Sequence, residues 1–377
     1  MLASTSDTHA PRLSVPPVDW RTGLSDRQRR ILRTWFWTIG AMTLAIVVVG
    51  GITRLTHSGL SIVDWQPLMG AIPPMNDAEW TEVFDRYRQY PEYRQLRRGM
   101  TLADFKVIFF WEYLHRLIAR LIGVVFLVPF VYSWRSGYLP RPLARRALAL
   151  FALGAMQGIM GWLMVSSGLV DRPSVSHYRL AAHLGLAFII VGYAAWLARD
   201  LTSSRVELTP SARRSVIRGL AVVGVLLVLQ IVWGAFVAGL RAGLIFNTFP
   251  LMGGQLLPPS GLALDPPIVN VVQNLTTVQW THRLLGTIVL AASLVFYVRV
   301  RRVTAERSMR HLNLTLLVLI ASQYLLGVLT LLLRVPVSVA VLHQVTAAVI
   351  VVVWVTWVHS ALAARMARSR PGALLEG

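Results

Sequence analysis

Residues 312–333 read LNLTLLVLIASQYLLGVLTLLL, a run without a single Asp, Glu, Lys or Arg. An α-helix needs about 20 mostly apolar residues to cross the hydrocarbon core of a bilayer, so this stretch is long enough to span a membrane. Two further apolar stretches, 107–131 and 278–298, also contain charged residues and histidine and are weaker candidates. The remaining candidate spans are 34–53, 147–170, 180–198, 219–240 and 335–364.

The composition of the whole chain supports the same class. Of its 377 residues, 55% are hydrophobic and only 14% are charged, against about 25% charged residues in an average soluble domain. This excludes a disordered, fibrous or ordinary cytosolic protein and predicts an all-α integral membrane protein with eight transmembrane helices. The chain has no cysteine, which excludes disulfide, thiolate-metal and thiol redox chemistry.

The net charge of +20 reflects topology rather than nucleic-acid binding. Arginines concentrate in the short connections 131–148, 199–218 and 299–311, whereas 52–108 balances its basic residues with acidic ones. Because short cytoplasmic loops carry the excess of Lys and Arg, both termini are expected in the cytoplasm and 52–108 on the outer side. The expected surroundings are membrane lipid, with no nucleic acid.

Several motifs occur more than once in the chain. PLMG occurs at 67–70 and 250–253, and HRL occurs at 115–117 and 282–284. Within the apolar stretches, Gln-x-x-x-Gly occurs three times, at Gln157/Gly161, Gln230/Gly234 and Gln323/Gly327. Their common order predicts two tandem four-helix bundles. Since four is an even number, both copies enter the membrane from the same side and are related by a pseudo-two-fold axis along its normal.

This repeat divides the chain into five segments. They are a cytoplasmic tail 1–33, an N-terminal bundle 34–198 with a long outer loop 54–106, a cytoplasmic linker 199–218, a C-terminal bundle 219–362 and a cytoplasmic tail 363–377.

Four histidines, His115, His183, His282 and His343, lie one in each even-numbered span. Each lies one to two turns from the outer end of its helix, so all four are expected in one layer. A hydrogen bond to a neighbouring helix would explain one such histidine, but not four at one depth. Two imidazoles on facing helices of a bundle suit haem iron as axial ligands. Zinc needs a third or fourth ligand, which only the first bundle offers, in Glu112.

Glu112 distinguishes the two bundles. It precedes His115 by three residues and shares its helix face, whereas the equivalent position before His282 is Gln279. An acid at membrane depth is a functional candidate, although a carboxylate bonded to helix ends would serve structure alone. The sequence therefore favours one bundle for chemistry and one for a permanent haem. Arg116 and Arg283 would either bind haem propionates or extend to the membrane interface.

The sequence resembles the heme A synthases, membrane enzymes that make haem A for cytochrome oxidase. The long outer loop is similar to that of the alphaproteobacterial and mitochondrial-type branch. The stretches that carry this resemblance are GGITRLTHSGLSIVDWQPLMGAIPP (50–74), WEYLHRLIARLIG (111–123), QGIMGWLMVSSGL (157–169), HYRLAAHLGLA (177–187), FNTFPLMGG (246–254), VQWTHRLLG (278–286) and HQVTAA (343–348).

The resemblance implies a specific reaction. Members oxidise the C8 methyl group of haem O to a formyl group by two successive hydroxylations through a hydroxymethyl intermediate. It implies that His282 and His343 ligate the iron of a haem b cofactor, that His115 and His183 hold the substrate haem, and that Glu112 is catalytic. Some bacterial members have a cysteine pair in the outer loops; this chain lacks it, so no thiol-dependent step operates here.

The resemblance also implies partners and a location in the cell. A haem O synthase would act upstream, an unidentified electron donor or acceptor would take part, and the haem sites would face the periplasmic side of a bacterial inner membrane. Two other functions fit the paired histidines. A dihaem b-type electron-transfer cytochrome would hold both haems permanently, and a haem-delivery protein would bind haem O without oxidising it. The cytochrome leaves the difference between Glu112 and Gln279 unexplained.

Overall fold

The computed structural model describes residues 23–64, 69–169, 174–202 and 206–366. Most of the predicted tail 1–33 and of the tail 363–377, part of the linker 199–218, and the first residues of the PLMG motif at 67–70 therefore lie outside the described residues. Within the described ranges, eight helices are long and apolar enough to cross a membrane, which confirms the predicted number.

The helices are numbered in chain order, and the short ones lie in loops. The short helices are α2 (Asp77–Arg88), α3 (Pro91–Leu96) and α8 (Asn270–Gln273). The eight long helices are α1 (Asp26–Leu55), α4 (Leu102–Arg135), α5 (Arg141–Ser166), α6 (His177–Asp200), α7 (Pro210–Gly239), α9 (Leu275–Val303), α10 (Arg307–Leu332) and α11 (Val337–Ala363). Two-residue strands β1 (Glu207–Leu208) and β2 (Arg365–Met366) pair in parallel.

Several long helices extend beyond the apolar stretches that predicted them. α1 begins at Asp26 because Ser25 forms a capping box with Gln28, in which each side chain accepts a hydrogen bond from the other residue's backbone N–H. Thr101 and Asp104 form the same arrangement at the start of α4. Such caps satisfy the free N–H groups of a first turn, so these helices begin in polar sequence.

The long helices form two sets of four. In the first set α1 packs against α4 and α6, and α5 packs against α6; in the second set α7 packs against α9, and α10 packs against α9 and α11. Each set has its own buried apolar cluster, one around Phe36, Leu143 and Leu197 and the other around Leu220 and Trp357.

The outward surfaces of the spans are apolar. Val128, Val295 and Leu325 are each more than 60% exposed, although they lie inside long helices. Lipid tails would cover such side chains, as expected for a multi-pass membrane protein.

The two sets meet along α1, α6, α7 and α11. Arg54, near the end of α1, donates a hydrogen bond to the carbonyl of Ala238 in α7. Gln344 in α11 donates from Nε2 to the carbonyl of Val47 in α1, at 2.9 Å. At the opposite end, Asp200 in α6 bonds to Nε2 of His359 in α11 at 3.0 Å. Polar contacts therefore join the two sets near both ends.

The two long loops, which follow α1 and α7, lie at the same end of the molecule, here called the loop face. In the first loop, α2 and α3 pack on the start of α4 through Phe84, Tyr87, Phe105 and Phe109. In the second loop, α8 and several 3₁₀ turns cover the start of α9. Each set of helices thus has a folded cap at its loop face.

Candidate functional site

The second set of helices brings two of the predicted histidines face to face. The rings of His282 in α9 and His343 in α11 have centroids 6.5 Å apart and planes at 84°. Metal–imidazole bonds are about 2 Å long, so one metal ion fits between these rings. In the first set, His115 in α4 and His183 in α6 lie close enough to interact electrostatically.

Each of the four histidine rings packs against a glycine of a neighbouring helix. A Cβ atom at Gly50 would lie 2.8 Å from Cε1 of His115, and one at Gly161 would lie 3.2 Å from Cε1 of His183. At Gly234 and Gly327 a Cβ atom would lie 3.0 Å from Cε1 of His282 and His343, respectively. The four glycines therefore give the rings space that any side chain would fill.

Three of the rings also contact a glutamine one turn before that glycine. Nε2 of Gln157, Gln230 and Gln323 lies 3.3 Å, 3.5 Å and 3.4 Å from Nε2 of His183, His282 and His343. The position one turn before Gly50 is Ile46, so His115 has no such glutamine. The Gln-x-x-x-Gly motif thus fixes both the space and the orientation of three rings.

Each of these four histidines has a buried Nδ1 atom. In the described part of the chain, Nδ1 of His115, His183, His282 and His343 is buried without a hydrogen-bond partner. A buried nitrogen of this kind costs free energy unless a ligand uses it. Paired, buried imidazoles in glycine-lined space fit the axial ligation of haem iron.

A zinc site is less well supported. The described residues contain no group of three or more His, Cys, Asp or Glu side chains placed to hold a metal ion. Glu112, the third ligand that such a site would need, is engaged by other partners.

Glu112 is 3% exposed and accepts hydrogen bonds through both carboxylate oxygens. Oε2 accepts from Oγ of Ser61 at 2.7 Å and from the backbone N–H of Ile62 at 2.9 Å. Oε1 accepts from Nη2 of Arg116 at 2.6 Å. A buried carboxylate with an Arg partner and two further donors is held in a fixed place, on the helix face that also carries His115.

Gln279 occupies the matching place in the second set with a different hydrogen-bonding role. It is 2% exposed, and its Nε2 donates to the carbonyls of Ala242 and Phe246, at 2.9 Å and 3.2 Å. Its Oε1 accepts from Nη2 of Arg283 at 3.2 Å. The two loops therefore present opposite polarity to positions 112 and 279: donors to the carboxylate, acceptors to the amide.

The two arginines that follow the histidines bind the loop backbone. Arg116 donates from Nη2 to the carbonyl of Ile62 at 2.8 Å and from Nη1 to that of Asp64 at 3.2 Å. Arg283 donates to the carbonyls of Phe246 and Thr248, both at 2.8 Å, while its Nε is buried without a partner in the described residues. Both guanidinium groups thus tie a cap to a histidine-bearing helix.

Sequence reasoning identified the histidines, Glu112 and the arginines, and it expected Gly161 to let neighbouring helices approach closely, but it did not place any glycine or glutamine against a histidine ring. It used the Gln-x-x-x-Gly motif only as a sign of duplication, although its three copies mark the three rings that receive a glutamine. Gly50 and Ser61 carried no signal, because their importance depends on which segments pack together.

The fold and the site define a class of protein: a multi-pass membrane protein of two repeated four-helix sets, each with a buried histidine pair suited to haem. Comparison with known families specifies it further. The chain belongs to the family of cytochrome oxidase assembly proteins, whose family model matches residues 33–355.

Individual relatives agree with this membership. The chain is 46% identical to the heme A synthase of Nitrosospira multiformis over 311 residues, which cover 82% of this chain and 87% of the relative. It is 42% identical to the heme A synthase of Sinorhizobium medicae over 322 residues, or 85% and 87% of the two chains. The heme A synthase of Parvibaculum lavamentivorans is 42% identical over 335 residues, or 89% and 95%.

Proposed function

We propose that this protein is a heme A synthase, which oxidises the C8 methyl group of haem O to a formyl group through a hydroxymethyl intermediate. The observation that carries the proposal is the asymmetry between two otherwise matching sites. Both have paired histidines in glycine-lined space, but among the described residues only the first has a buried carboxylate beside them. An enzyme with one reacting haem and one resident haem needs this difference.

The two histidine pairs then have different tasks. His115 and His183 hold the substrate haem O next to Glu112, where a proton can be exchanged. His282 and His343 hold a haem b next to Gln279, which cannot exchange a proton. When bound, the haem b iron supplies one-electron chemistry, and the electron partner outside the chain is unidentified.

Glu112 carries a proton to or from the site of methyl oxidation, or stabilises positive charge there. Its bonds to Ser61, Ile62 and Arg116 hold it in place without help from solvent. Arg116 and Arg283 provide positive charge at the loop face for haem propionates, and the free Nε of Arg283 supports this role because Arg binds carboxylates through several N–H groups.

The membrane is a bacterial inner membrane, with both termini in the cytoplasm and both haem sites toward the periplasm. The basic connections of the sequence support this orientation. A haem O synthase supplies the substrate within the same membrane, because haem O is too apolar to cross water freely.

Haem extraction tests the proposal. The protein is purified from cells that also express a haem O synthase, and its haems are separated by chromatography and identified by mass spectrometry. We expect haem B together with haem A or the hydroxymethyl intermediate. Haem B alone, at two per chain, would overturn the proposal in favour of a dihaem electron-transfer cytochrome. Unchanged haem O in the presence of oxygen and reductant would indicate a haem-delivery protein instead.

A further inference from the structure

The two sets of helices differ most in how one pair of helices packs. In the second set α9 packs closely against α10, whereas the equivalent helices of the first set, α4 and α5, touch much less. Phe126 of α4 and Phe151 of α5 do stack, with ring centroids 5.3 Å apart. Because α4 begins at the loop face and α5 ends there, this contact lies toward the opposite end of the two helices.

Three glycines lie between that contact and the loop face: Gly123 in α4, and Gly154 and Gly158 in α5. A Cβ atom at any of them would meet no neighbouring atom within 4 Å in the part of the chain that the structure describes. Small residues in membrane helices usually let another helix approach closely, but no helix approaches these three. The space beside them is here called the α4–α5 gap.

The second set has large side chains at the matching positions. With the histidines and the Gln-x-x-x-Gly motifs as the reference, the repeat aligns the three glycines with Leu290, Ile320 and Tyr324. Leu290 packs against the buried apolar cluster of the second set, and Ile320 is part of that cluster. The equivalent space between α9 and α10 is therefore filled.

Tyr324 closes that space at the level of the histidines. Its hydroxyl oxygen lies 3.3 Å from Oγ1 of Thr287 in α9. The ring of Phe249, from the second cap, stands edge-on to the Tyr324 ring with centroids 6.2 Å apart. In the first set Arg120 takes the position of Thr287, but none of its atoms lies within 4 Å of a Cβ atom at Gly158.

The α4–α5 gap adjoins the first histidine pair. Gly158 directly follows Gln157, whose Nε2 lies 3.3 Å from Nε2 of His183. Nδ1 of His183 is buried without a hydrogen-bond partner among the described residues, so the gap leads to a ring that is suited to a ligand. The side chains that flank the three glycines are apolar and between 45% and 57% exposed, as expected beside lipid: Leu121, Val124, Met156 and Ile159.

We propose that the α4–α5 gap is the passage through which the substrate haem enters the first set from the membrane and through which the product leaves. The equivalent passage of the second set is closed by Tyr324, which keeps the resident haem in place. A haem with a long apolar tail dissolves in lipid, and a gap lined by glycine and apolar side chains suits such a molecule. No bond forms or breaks in this step. The inference rests on the proposed assignment of His115 and His183 to the substrate.

The test introduces the closing side chain of the second set into the first. Gly158→Tyr copies Tyr324, and Ile159→Tyr is the matched control, because it adds a tyrosine to the next position, where the side chain is 57% exposed. Each full-length protein is purified from cells without a haem O synthase and reconstituted in phosphatidylcholine vesicles. Haem O is then added, and its binding is followed by the change in haem absorbance on histidine ligation.

We expect Gly158→Tyr to take up haem O more slowly by a factor on the order of ten, because added bulk must displace packed neighbours before the haem can pass. Its haem B content should equal that of the original protein, and Ile159→Tyr should take up haem O at the original rate. Gly154→Ile, which copies Ile320, should slow uptake as well and replaces Gly158→Tyr if that variant does not fold.

The reverse change opens the second set. In Tyr324→Gly we expect the resident haem B to exchange with isotopically labelled haem B added to the vesicles, whereas the original protein should retain its own. Leu325→Gly is the matched control, because it has the same unfavourable effect on the helix at a side chain 62% exposed. Mass spectrometry of the extracted haem measures the exchange.

Three outcomes would overturn the inference. They are an unchanged rate of haem O uptake in Gly158→Tyr, an equal loss of rate in Ile159→Tyr, and equal exchange of haem B in Tyr324→Gly and Leu325→Gly. Uptake does not require oxidation of the haem. If haem O enters by this passage and is never oxidised, the proposed function fails while the passage stands.

Discussion

At the scale of single residues, positions 112 and 279 have side chains of nearly the same shape with opposite hydrogen-bonding roles. Glu112 accepts from Ser61, Ile62 and Arg116, whereas the amide of Gln279 donates to two backbone carbonyls. Glu112 satisfies the hydrogen-bond donors of the first cap, and Gln279 satisfies the acceptors of the second. Neither side chain could replace the other, because the surrounding backbone differs as well.

This contrast leads to a prediction for Glu112→Gln. The amide keeps the size of the carboxylate but can neither take up a proton nor accept from three donors. We expect haem content to stay the same and conversion of haem O to stop at or before the hydroxymethyl intermediate. Chromatography of extracted haems measures this, with Glu82→Gln as the control. Full conversion by Glu112→Gln would remove Glu112 from the mechanism.

The glycines that face the histidines give a second prediction. In Gly50→Ala the new Cβ atom would lie 2.8 Å from Cε1 of His115, so the ring must move. Gly40→Ala in the same helix is the control, because its Cβ would meet Ala194 at an ordinary 3.8 Å. Alanine favours a helix over glycine by about 1 kcal/mol, so neither variant should lose helix stability.

The measurement is the amount of each haem bound per chain. We expect Gly50→Ala to lose haem O and its oxidation products while it keeps haem B. Loss of haem B alone would contradict the assignment of His115 to the substrate site.

At the scale of elements, the first cap is stabilised by aromatic packing and sensitive to the charge of Glu92. Tyr87 and Phe105 are completely buried, with ring centroids 5.1 Å apart. Because this packing excludes water from Glu92, it also makes ionisation of that carboxyl unfavourable. The stability of the cap is therefore linked to pH.

We predict that thermal stability falls as pH rises from about 4.5 to about 7. The folded protein keeps the Glu92 proton up to its pKa of about 7, whereas the unfolded chain loses it near the ordinary value of 4.5. Where the folded state binds more protons, stability decreases with pH. The midpoint of thermal unfolding measured across this range should vary less in Glu92→Gln; an unchanged slope would contradict the shifted pKa.

At the scale of the whole molecule, a buried charged cluster links the two sets of helices opposite the loop face. The carboxylate of Asp200 bonds to Arg146 of α5 and to His359 of α11, and its side chain is only 3% exposed. These partners come from both sets, so the cluster stabilises the packing of the two sets against each other.

Asp200→Ala should therefore destabilise the whole molecule. Removal of one partner from a buried ion pair costs about 3–5 kcal/mol. We expect a loss below that range, because Arg146 is 42% exposed and its charge stays hydrated after its partner is removed. The thermal unfolding midpoint in detergent measures the loss, with Asp85→Asn on the exposed surface of α2 as the control. Equal midpoints for the two variants would contradict a linking role.

The orientation in the membrane can be tested directly because the chain has no cysteine. A single Asp77→Cys change lies at the loop face on a side chain 98% exposed, and Glu207→Cys lies at an exposed position near the opposite end. In intact spheroplasts, a membrane-impermeant maleimide should label the first variant and leave the second unlabelled. The reverse pattern would place the loop face in the cytoplasm.

The number of spans was predictable from sequence because each span must hydrogen-bond its own backbone polar groups as a helix and is apolar along its length. The ends of the helices were less predictable. α1 begins at Asp26, eight residues before the apolar stretch 34–53, because of the cap at Ser25. α10 likewise begins at Arg307, ahead of the stretch 312–333.

The candidate site was likewise predictable from the sequence only in part. The histidines and Glu112 stood out because the repeat places them at positions that can be compared between the two halves. Such a comparison needs the sequence alone. Ser61 lies 51 residues from Glu112 in the chain, and Glu92 is one of several acids in a polar loop. Their burial depends on how the first cap folds, and no local sequence pattern predicts that fold.

The opposite polarity of the two caps also bears on the history of the gene. Codons for Glu and Gln differ by a single base, so one nucleotide change exchanges the two side chains. The surrounding backbone does not change with it. A glutamate at position 279 would now meet the carbonyl oxygens of Ala242 and Phe246 and repel both, so several further substitutions would have to precede it. A single base change at either position is therefore opposed by the cap around it, and the difference between the halves is held by more than one residue.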